Sequence, residues 1–391
     1  MNIPNSRLHV VDALRGFALV SIMLLHNIEH FDYIFQYPPQ NVEPWRAKLD
    51  SGIWETLFFL FSGKSYAMFA LLFGLTFFIQ SNNEEKRGRN FMPRFAWRMV
   101  LLFFFGVFNS AFFQGDVLMI YAALGLLLIP LGKLNAKAQI AVASVLILQP
   151  YFWLQVWQGM QNPGVDLPNP TSWTYFGKMV EYIPKESLLD TLWGNLTNGR
   201  VAVFRWNWEN GRYFLILGLF LLGNVLGKAG VFQQGESSRV FWIRALVVCL
   251  LVFMPTYWVT ENMEALVESE AIRRPLNVIL SSWRNTAFMV VWVGVIYLLF
   301  STPAGEKFFK FFIPFGKMSL SNYIIQSLLG SSLYYGFGLG LYQYTSPTYS
   351  LLIGFGLTFL MWVFCKQWAN THRHGPFETI WHKLTWMGTD R

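Results

Sequence analysis

The chain has 391 residues, of which 54% are hydrophobic, 18% aromatic and only 13% charged, with a formal net charge of +8 and a mean hydropathy of +0.35. So few charges cannot coat a water-soluble protein of this size, which excludes a soluble globular enzyme and leaves an integral membrane protein. The positive balance sits in short loops between apolar segments, so it reads as membrane topology and not as a nucleic-acid footprint.

The apolar stretches require helices, because a helix needs about 20 apolar residues to cross while a barrel strand alternates over about ten. The fold expected is all-α and polytopic. Ten spans are expected, near residues 12 to 29, 62 to 81, 95 to 113, 116 to 132, 138 to 156, 212 to 228, 240 to 259, 278 to 300, 317 to 337 and 349 to 366. They divide into an N-terminal half over residues 1 to 156, an extracytoplasmic loop or cap over 157 to 211, and a C-terminal half with a cytoplasmic tail over 212 to 391.

The first span reads VDALRGFALVSIMLLHNIEHF and carries Arg15 and His26, eleven positions apart. Ionisable groups inside a membrane segment are functional candidates by default. At about 1.5 Å per residue the two stand about 16 Å apart, about half the hydrocarbon thickness, and about 1100° of rotation returns them to one helix face. Asp12, three residues before Arg15, has the spacing to pair with it. Glu29 and His30 follow His26 within one turn, Glu29 being placed to orient an imidazole or simply to end the helix in solvent. Asp12 and Arg15 inside the segment also argue against a cleavable signal.

The next segment, IWETLFFLFS, is too short to cross alone and is expected to be half-inserted. Lys64, Arg98, Arg212, Arg284 and Lys317 are further cations at or within spans. They suit phosphate oxygens, which Arg grips bidentately; the alternatives are snorkelling to headgroups for Arg98 and Lys317 and burial against a polar partner for the others. Asp116 opens a helix in QGDVLMIYA, as an N-cap or as a cavity wall. Trp206 and Trp208 in FRWNWENGRYF are either an interfacial belt or flat faces for a sugar. Asn322, with Ser319, Ser321, Tyr323 and Gln326, makes the ninth span polar, as helix glue or as part of a site.

Counting Lys and Arg in short loops puts Lys86, Arg87, Arg89, Lys133, Lys137, Lys228 and Arg239 on one side, expected to be the cytoplasm with both termini. Arg15 then lies nearer the cytoplasm than His26. Cys249 and Cys365 give neither a disulfide framework nor metal spacing, and Glu378 beside His372, His374 and His382 fits no zinc motif, so no metal is expected. A Gly-rich phosphate loop after a strand is missing, which excludes an ATP-driven pump on this chain alone.

The runs VDALRGFALVSIMLLHNI, FSGKSYAMFALLFGLTF and FFQGDVLMIYAALGLLLI resemble the opening of the YeiB-like membrane proteins. GRYFLILGLFLLGNVLGKAG, FGKMSLSNYIIQSLLG and GPFETIWHKLTW resemble the domain of unknown function that closes them. One step further away, Arg, ten residues, His in a first span is similar to the signature of membrane-bound acyltransferases of family three, a group that extends to the heparan glucosaminide acetyltransferases.

That resemblance implies transfer of an acyl group from cytoplasmic acyl-CoA or acetyl-CoA to a hydroxyl or amine at or across a bacterial cytoplasmic membrane. It would make His26 the general base or transient acyl carrier and Arg15 a residue near the donor's phosphates. Asp12 then joins His26 as catalytic, and Lys64, Arg98, Arg212 and Arg284 join Arg15 around the donor. Asn27, Asp116, Trp206, Trp208 and Asn322 are the expected wall for a small-molecule or glycan acceptor. Membrane lipids are the expected surroundings, and a homodimer is left open. Two other readings are a transporter of an anionic or amphipathic solute and an assembly protein whose buried charges only fix packing.

Overall fold

The computed structural model describes residues 8–38 and 42–387, and every regular element among them is helical. The first half comprises α1 (His9–Ile28), α2 (Pro44–Phe61), α3 (Ser65–Glu85), α4 (Met92–Phe112), α5 (Leu118–Leu131), α6 (Ala136–Ile147) and α7 (Pro150–Gln161). Three short helices, α8 (Thr171–Gly177), α9 (Leu188–Gly194) and α10 (Arg200–Glu209), form the connection. The second half holds α11 (Arg212–Ala229), α12 (Glu236–Glu261), α13 (Met263–Leu266), α14 (Glu270–Phe300), α15 (Pro303–Phe309), α16 (Ile313–Lys317), α17 (Ser319–Tyr334), α18 (Pro347–Thr371) and α19 (Pro376–Thr385).

Among the described residues, eight helical runs are long and apolar enough to cross a membrane, so the chain is an all-α membrane protein. They correspond to eight of the ten spans expected from sequence. The other two are shorter: α5 has 14 residues and α17 has 16, against about 20 for a full crossing. Asp116 starts α5 late by binding the Leu118 N–H, and Pro130 ends it; α17 spends its polar residues on neighbouring backbone. The short IWETLFFLFS segment belongs to α2, which runs into α3 through a break at Gly63, whose φ is +77°. The span expected near 138 to 156 is broken as well. Pro150 disfavours a helical Gln149, whose φ is +60°, and the freed Gln149 amide donates to the Gly211 carbonyl at 3.0 Å and the Ser282 hydroxyl at 3.1 Å.

One apolar core draws on both sides of the connection, with Leu14, Leu71, Phe220, Met289 and Ile324 all buried in it. Two reciprocal glycine contacts let the central helices touch backbone to backbone. A Cβ on Gly74 of α3 would fall on the Phe220 carbonyl of α11, and one on Gly223 of α11 would fall on the Leu71 carbonyl of α3. Gly16 of α1 meets the Phe312 carbonyl and Gly316 of α16 meets that of Asp12 in the same manner. Small residues at such crossings replace the hydrophobic drive that lipid removes. The ends of α3 and α11 nearest Arg15 lead into the loops carrying Lys86, Arg87, Arg89 and Lys228, and Lys228 reaches the Gly132 carbonyl at 3.3 Å, so the basic loops gather at the Arg15 end of α1. The chain termini, expected on that side, lie outside the described residues.

α1 ends in an uncommon way. His30, Phe31 and Asp32 have φ of +48°, +54° and +70°, a left-handed turn that costs about 1–3 kcal/mol per non-glycine residue. Its surroundings hold it. Phe31 is fully buried with Tyr33, Phe113 and Tyr334, its carbonyl accepts from the Tyr335 hydroxyl at 2.8 Å, and its ring fills the space over Gly330.

Candidate functional site

Two cavities lie along α1. At the Arg15 end a space of about 240 Å³ is lined by Arg15, Thr76, Gln80, Arg98, Lys317 and Trp381 among others. At the His26 end a larger one of about 730 Å³ is lined by His26, Glu29, Asp32, Trp206, Asn207 and Arg212 among others. Ile22, Tyr66, Val117 and Tyr323 line both, so the two cavities adjoin at these side chains. The helical phase thus does bring Arg15 and His26 to one face of one continuous helix, each facing its own chamber.

Arg15 donates to Asp12 Oδ1 at 3.0 Å and to Thr76 Oγ1 at 2.6 Å. Asp12 is 1% exposed and lines neither chamber; it holds Arg15, less than one turn away, and is not placed with His26, which stands about four turns further along α1. Arg98 stacks on Trp381 of α19 at 4.3 Å. α19 is fastened across this chamber by Glu378, which accepts from the Leu320 N–H at 2.7 Å, the Ser321 N–H at 3.1 Å and the Ser321 hydroxyl. Burial pushes the Glu378 carboxyl above its ordinary range while these donors pull it back.

At the other end His26 Nδ1 lies 3.5 Å from Glu29 Oε2, and its ring packs edge-on against Phe113 at 4.6 Å. The left-handed turn swings Asp32 back to the same spot, so one donor atom each from His26, Glu29 and Asp32 lies within 4.8 Å of the others. These are three atoms of the kind that could ligate one metal ion. Burial, then Glu29, push Asp32 up to about 7, against the opposing pull of His26 and Arg212. Arg212, the first residue of α11, is clamped between rings, its guanidinium 4.3 Å from the Tyr66 centroid and 3.8 Å from that of Trp206.

The remaining candidates serve the frame. Lys64 is buried over the Phe59 and Phe288 rings and reaches the Phe58 carbonyl at 3.5 Å. Arg284 is taken up by Thr260 at 2.7 Å and Glu261 at 3.0 Å. Asn27 donates to the Met23 carbonyl at 2.8 Å and accepts from Tyr334, and Asn322 donates to the carbonyls of Phe315 and Met318. Asp116 accepts from Asn109 at 2.8 Å and from the Leu118 N–H at 3.0 Å; burial pushes it up to about 6, and Arg200 braces the turn by donating to the Gln114 and Asp116 carbonyls. Trp208 stacks on Tyr151 and Phe214. None of these six side chains lines either chamber. Trp206 does, but Arg212 occupies one of its faces.

Sequence reasoning missed Asp32. Six residues beyond His26 on a regular helix amount to about 600°, well off the His26 face, and only the left-handed turn corrects it. Tyr66 left a weak signal, since it stands beside Lys64 in FSGKSYAMF.

Residues 226–388 match the family described as "Protein of unknown function (DUF418)". Over 98% of its length the chain is 25% identical to "Uncharacterized protein YxaH" of Bacillus subtilis, covering 96% of it. It is 22% identical to "Uncharacterized 39.9 kDa protein in amylase 3'region" of Bacillus acidopullulyticus, over 98% of this chain and 94% of that one. It is also 22% identical to "Uncharacterized protein YeiB" of Escherichia coli, over 96% and 95% of the two chains. No solved structure matches it.

Proposed function

We propose that this chain, which is a YeiB-like membrane protein, is a transmembrane acyltransferase that moves an acyl group from acyl-CoA or acetyl-CoA to a hydroxyl or amine. What carries the reading is the pair of chambers joined at Ile22, Tyr66, Val117 and Tyr323. A thioester of CoA has phosphates at one end and a reactive carbonyl at the end of a slender arm. The chamber with Arg15, Arg98 and Lys317 suits the phosphates, and on this proposal the arm passes between the four side chains that the two chambers share. The carbonyl then arrives where His26 faces the larger chamber.

There a neutral imidazole takes the proton of the attacking hydroxyl or amine as the new bond to the carbonyl carbon forms, and returns it to the departing thiolate. The Glu29 carboxylate, 3.5 Å from Nδ1, offsets by its charge the imidazolium that arises midway. The usual bias of Lys and Arg toward the cytoplasm supports a cytoplasmic Arg15 end; on this proposal the donor enters from inside, with a bacterial cytoplasmic membrane as the proposed setting.

The test is release of CoA thiol by purified protein supplied with acetyl-CoA and candidate acceptors. His26→Ala is expected to lower the rate by about 10²–10⁴-fold with an unchanged Tm. Absence of thiol release together with absence of thermal stabilisation by CoA would sink the acyltransferase reading. Chambers that meet at mid-helix also suit a transporter; that reading requires solute flux into liposomes that His26→Ala leaves intact.

A further inference from the structure

Arg212 is the one Lys or Arg side chain among the described residues lining the larger chamber. Its guanidinium carbon lies over two rings, 4.3 Å from the Tyr66 centroid and 3.8 Å from that of Trp206, and among the described residues it makes no hydrogen bond or ion pair. Stacking fixes the plane of a guanidinium while leaving its edge, with the N–H donors, unspent. An edge of that kind suits a carboxylate or phosphate, whose two oxygens accept in parallel.

The same chamber has the opposite feature. Glu29 is engaged only with His26, and Asp32 makes no hydrogen bond or ion pair among the described residues. One donor atom each from two carboxyl groups and an imidazole thus converge within 4.8 Å. The arrangement is maintained by the strained turn at His30–Asp32, so it is built and not a relaxed accident. Arg212 and Asp32 line the same chamber, which places both features within one small molecule's reach.

Resting on the reading of this chamber as the acceptor's, we infer that the acceptor is zwitterionic: its primary amine seats between Glu29 and Asp32 beside His26, and its phosphate or carboxylate lies along the edge of Arg212. The seated ammonium gives one proton to Asp32. The nitrogen lone pair then forms the C–N bond to the thioester carbonyl while the C–S bond breaks. A second proton passes from nitrogen through His26 to the leaving sulfur, so the products are an amide and free CoA thiol, and Asp32 returns its proton to water. The same chemistry is offered by a free amino acid or phosphorylated amine and by an aminophospholipid headgroup.

The test is thermal stabilisation of the full chain in a neutral maltoside detergent. O-phosphoethanolamine carries both groups, ethanolamine the amine alone and glycerol 3-phosphate the anion alone. The doubly charged probe is expected to raise Tm at concentrations at least tenfold below those at which either partner acts. Glu29→Gln and Arg212→Gln should each weaken it at least tenfold, and Arg212→Lys, which keeps the charge but loses the stacked fork, should weaken it as well. Should Arg212→Gln fail to fold, the comparison of probes on the wild type and Arg212→Lys decides.

Equal potency of a singly charged probe overturns the inference, and so does saturation by Zn²⁺ alone with no response to the amine. Stabilisation by phosphatidylethanolamine in mixed micelles that excludes the free probe identifies the lipid headgroup as the source; the reverse identifies the soluble molecule. Because binding is what is measured, a chain that takes the zwitterion yet releases no CoA thiol retains this inference and loses the acyltransferase reading. A chain that acylates a neutral alcohol does the opposite.

Discussion

Asp32 carries a cost that pH exposes. Buried beside Glu29, it holds its proton up to about 7 instead of 3.8. Between about pH 4 and about pH 7 the unfolded chain has released this proton while the folded chain still binds it, so folding stability contributed by Asp32 declines as pH rises through that window and is level above it. His30 titrates in the contrary sense. Its ring lies 2.9 Å from the Ser350 hydroxyl and stacks on Tyr334, and burial pushes it down to about 3, so its contribution is lost as pH falls below the ordinary histidine value. Asp32→Asn leaves His30 untouched and cancels it from the comparison. The Tm of the wild type minus that of Asp32→Asn should therefore fall between pH 5 and pH 7.5 in scanning fluorimetry, and a constant difference would show that Asp32 titrates as an ordinary carboxyl.

At the level of helices, the site depends on how closely α3 and α11 approach, since Tyr66 comes from one and Arg212 from the other. Gly74 and Gly223 set that approach by letting each backbone rest on the other's carbonyl. Gly223→Val would push the Leu71 carbonyl away, an overpacking that costs about 1–3 kcal/mol, and would open the clamp around Arg212. A lower Tm is expected, together with weaker binding of the ligand that Arg212 holds. Gly52→Val on α2, where a Cβ meets nothing within 4 Å, is the matched control and should change neither. Gln149 contributes from further off: its amide pins the Gly211 carbonyl, one residue before Arg212, so the break between α6 and α7 helps fix where α11 begins.

Across the whole molecule, the sequence was most informative where the chain is regular. Membrane class and eight of ten spans followed from apolar length, and the common face of Arg15 and His26 followed from helical phase, because α1 is unbroken between them. The shortness of α5 and α17 was hidden, since both are flanked by turns whose side chains and not their hydropathy decide the ends. Candidate cations were sorted poorly for a related reason. Lys64 and Arg284 have the same composition and depth in the sequence as Arg98 and Arg212, yet whether a cation faces a chamber or a carbonyl is settled by helices far away in the chain. Asp32 lay beyond any periodic signal, because its direction is set by a turn that tertiary packing imposes.

The adjoining chambers bear on the order of events. On the acyltransferase reading, a donor and an acceptor in separate spaces that meet at Ile22, Tyr66, Val117 and Tyr323 do not oblige one substrate to leave before the other enters. That reading then expects both to be held at once and the acyl group to cross in a single displacement. Double-reciprocal plots of initial rate at several fixed acceptor concentrations should then converge; parallel lines would instead mean that His26 is acylated and waits, with the first product gone, for the second substrate to arrive.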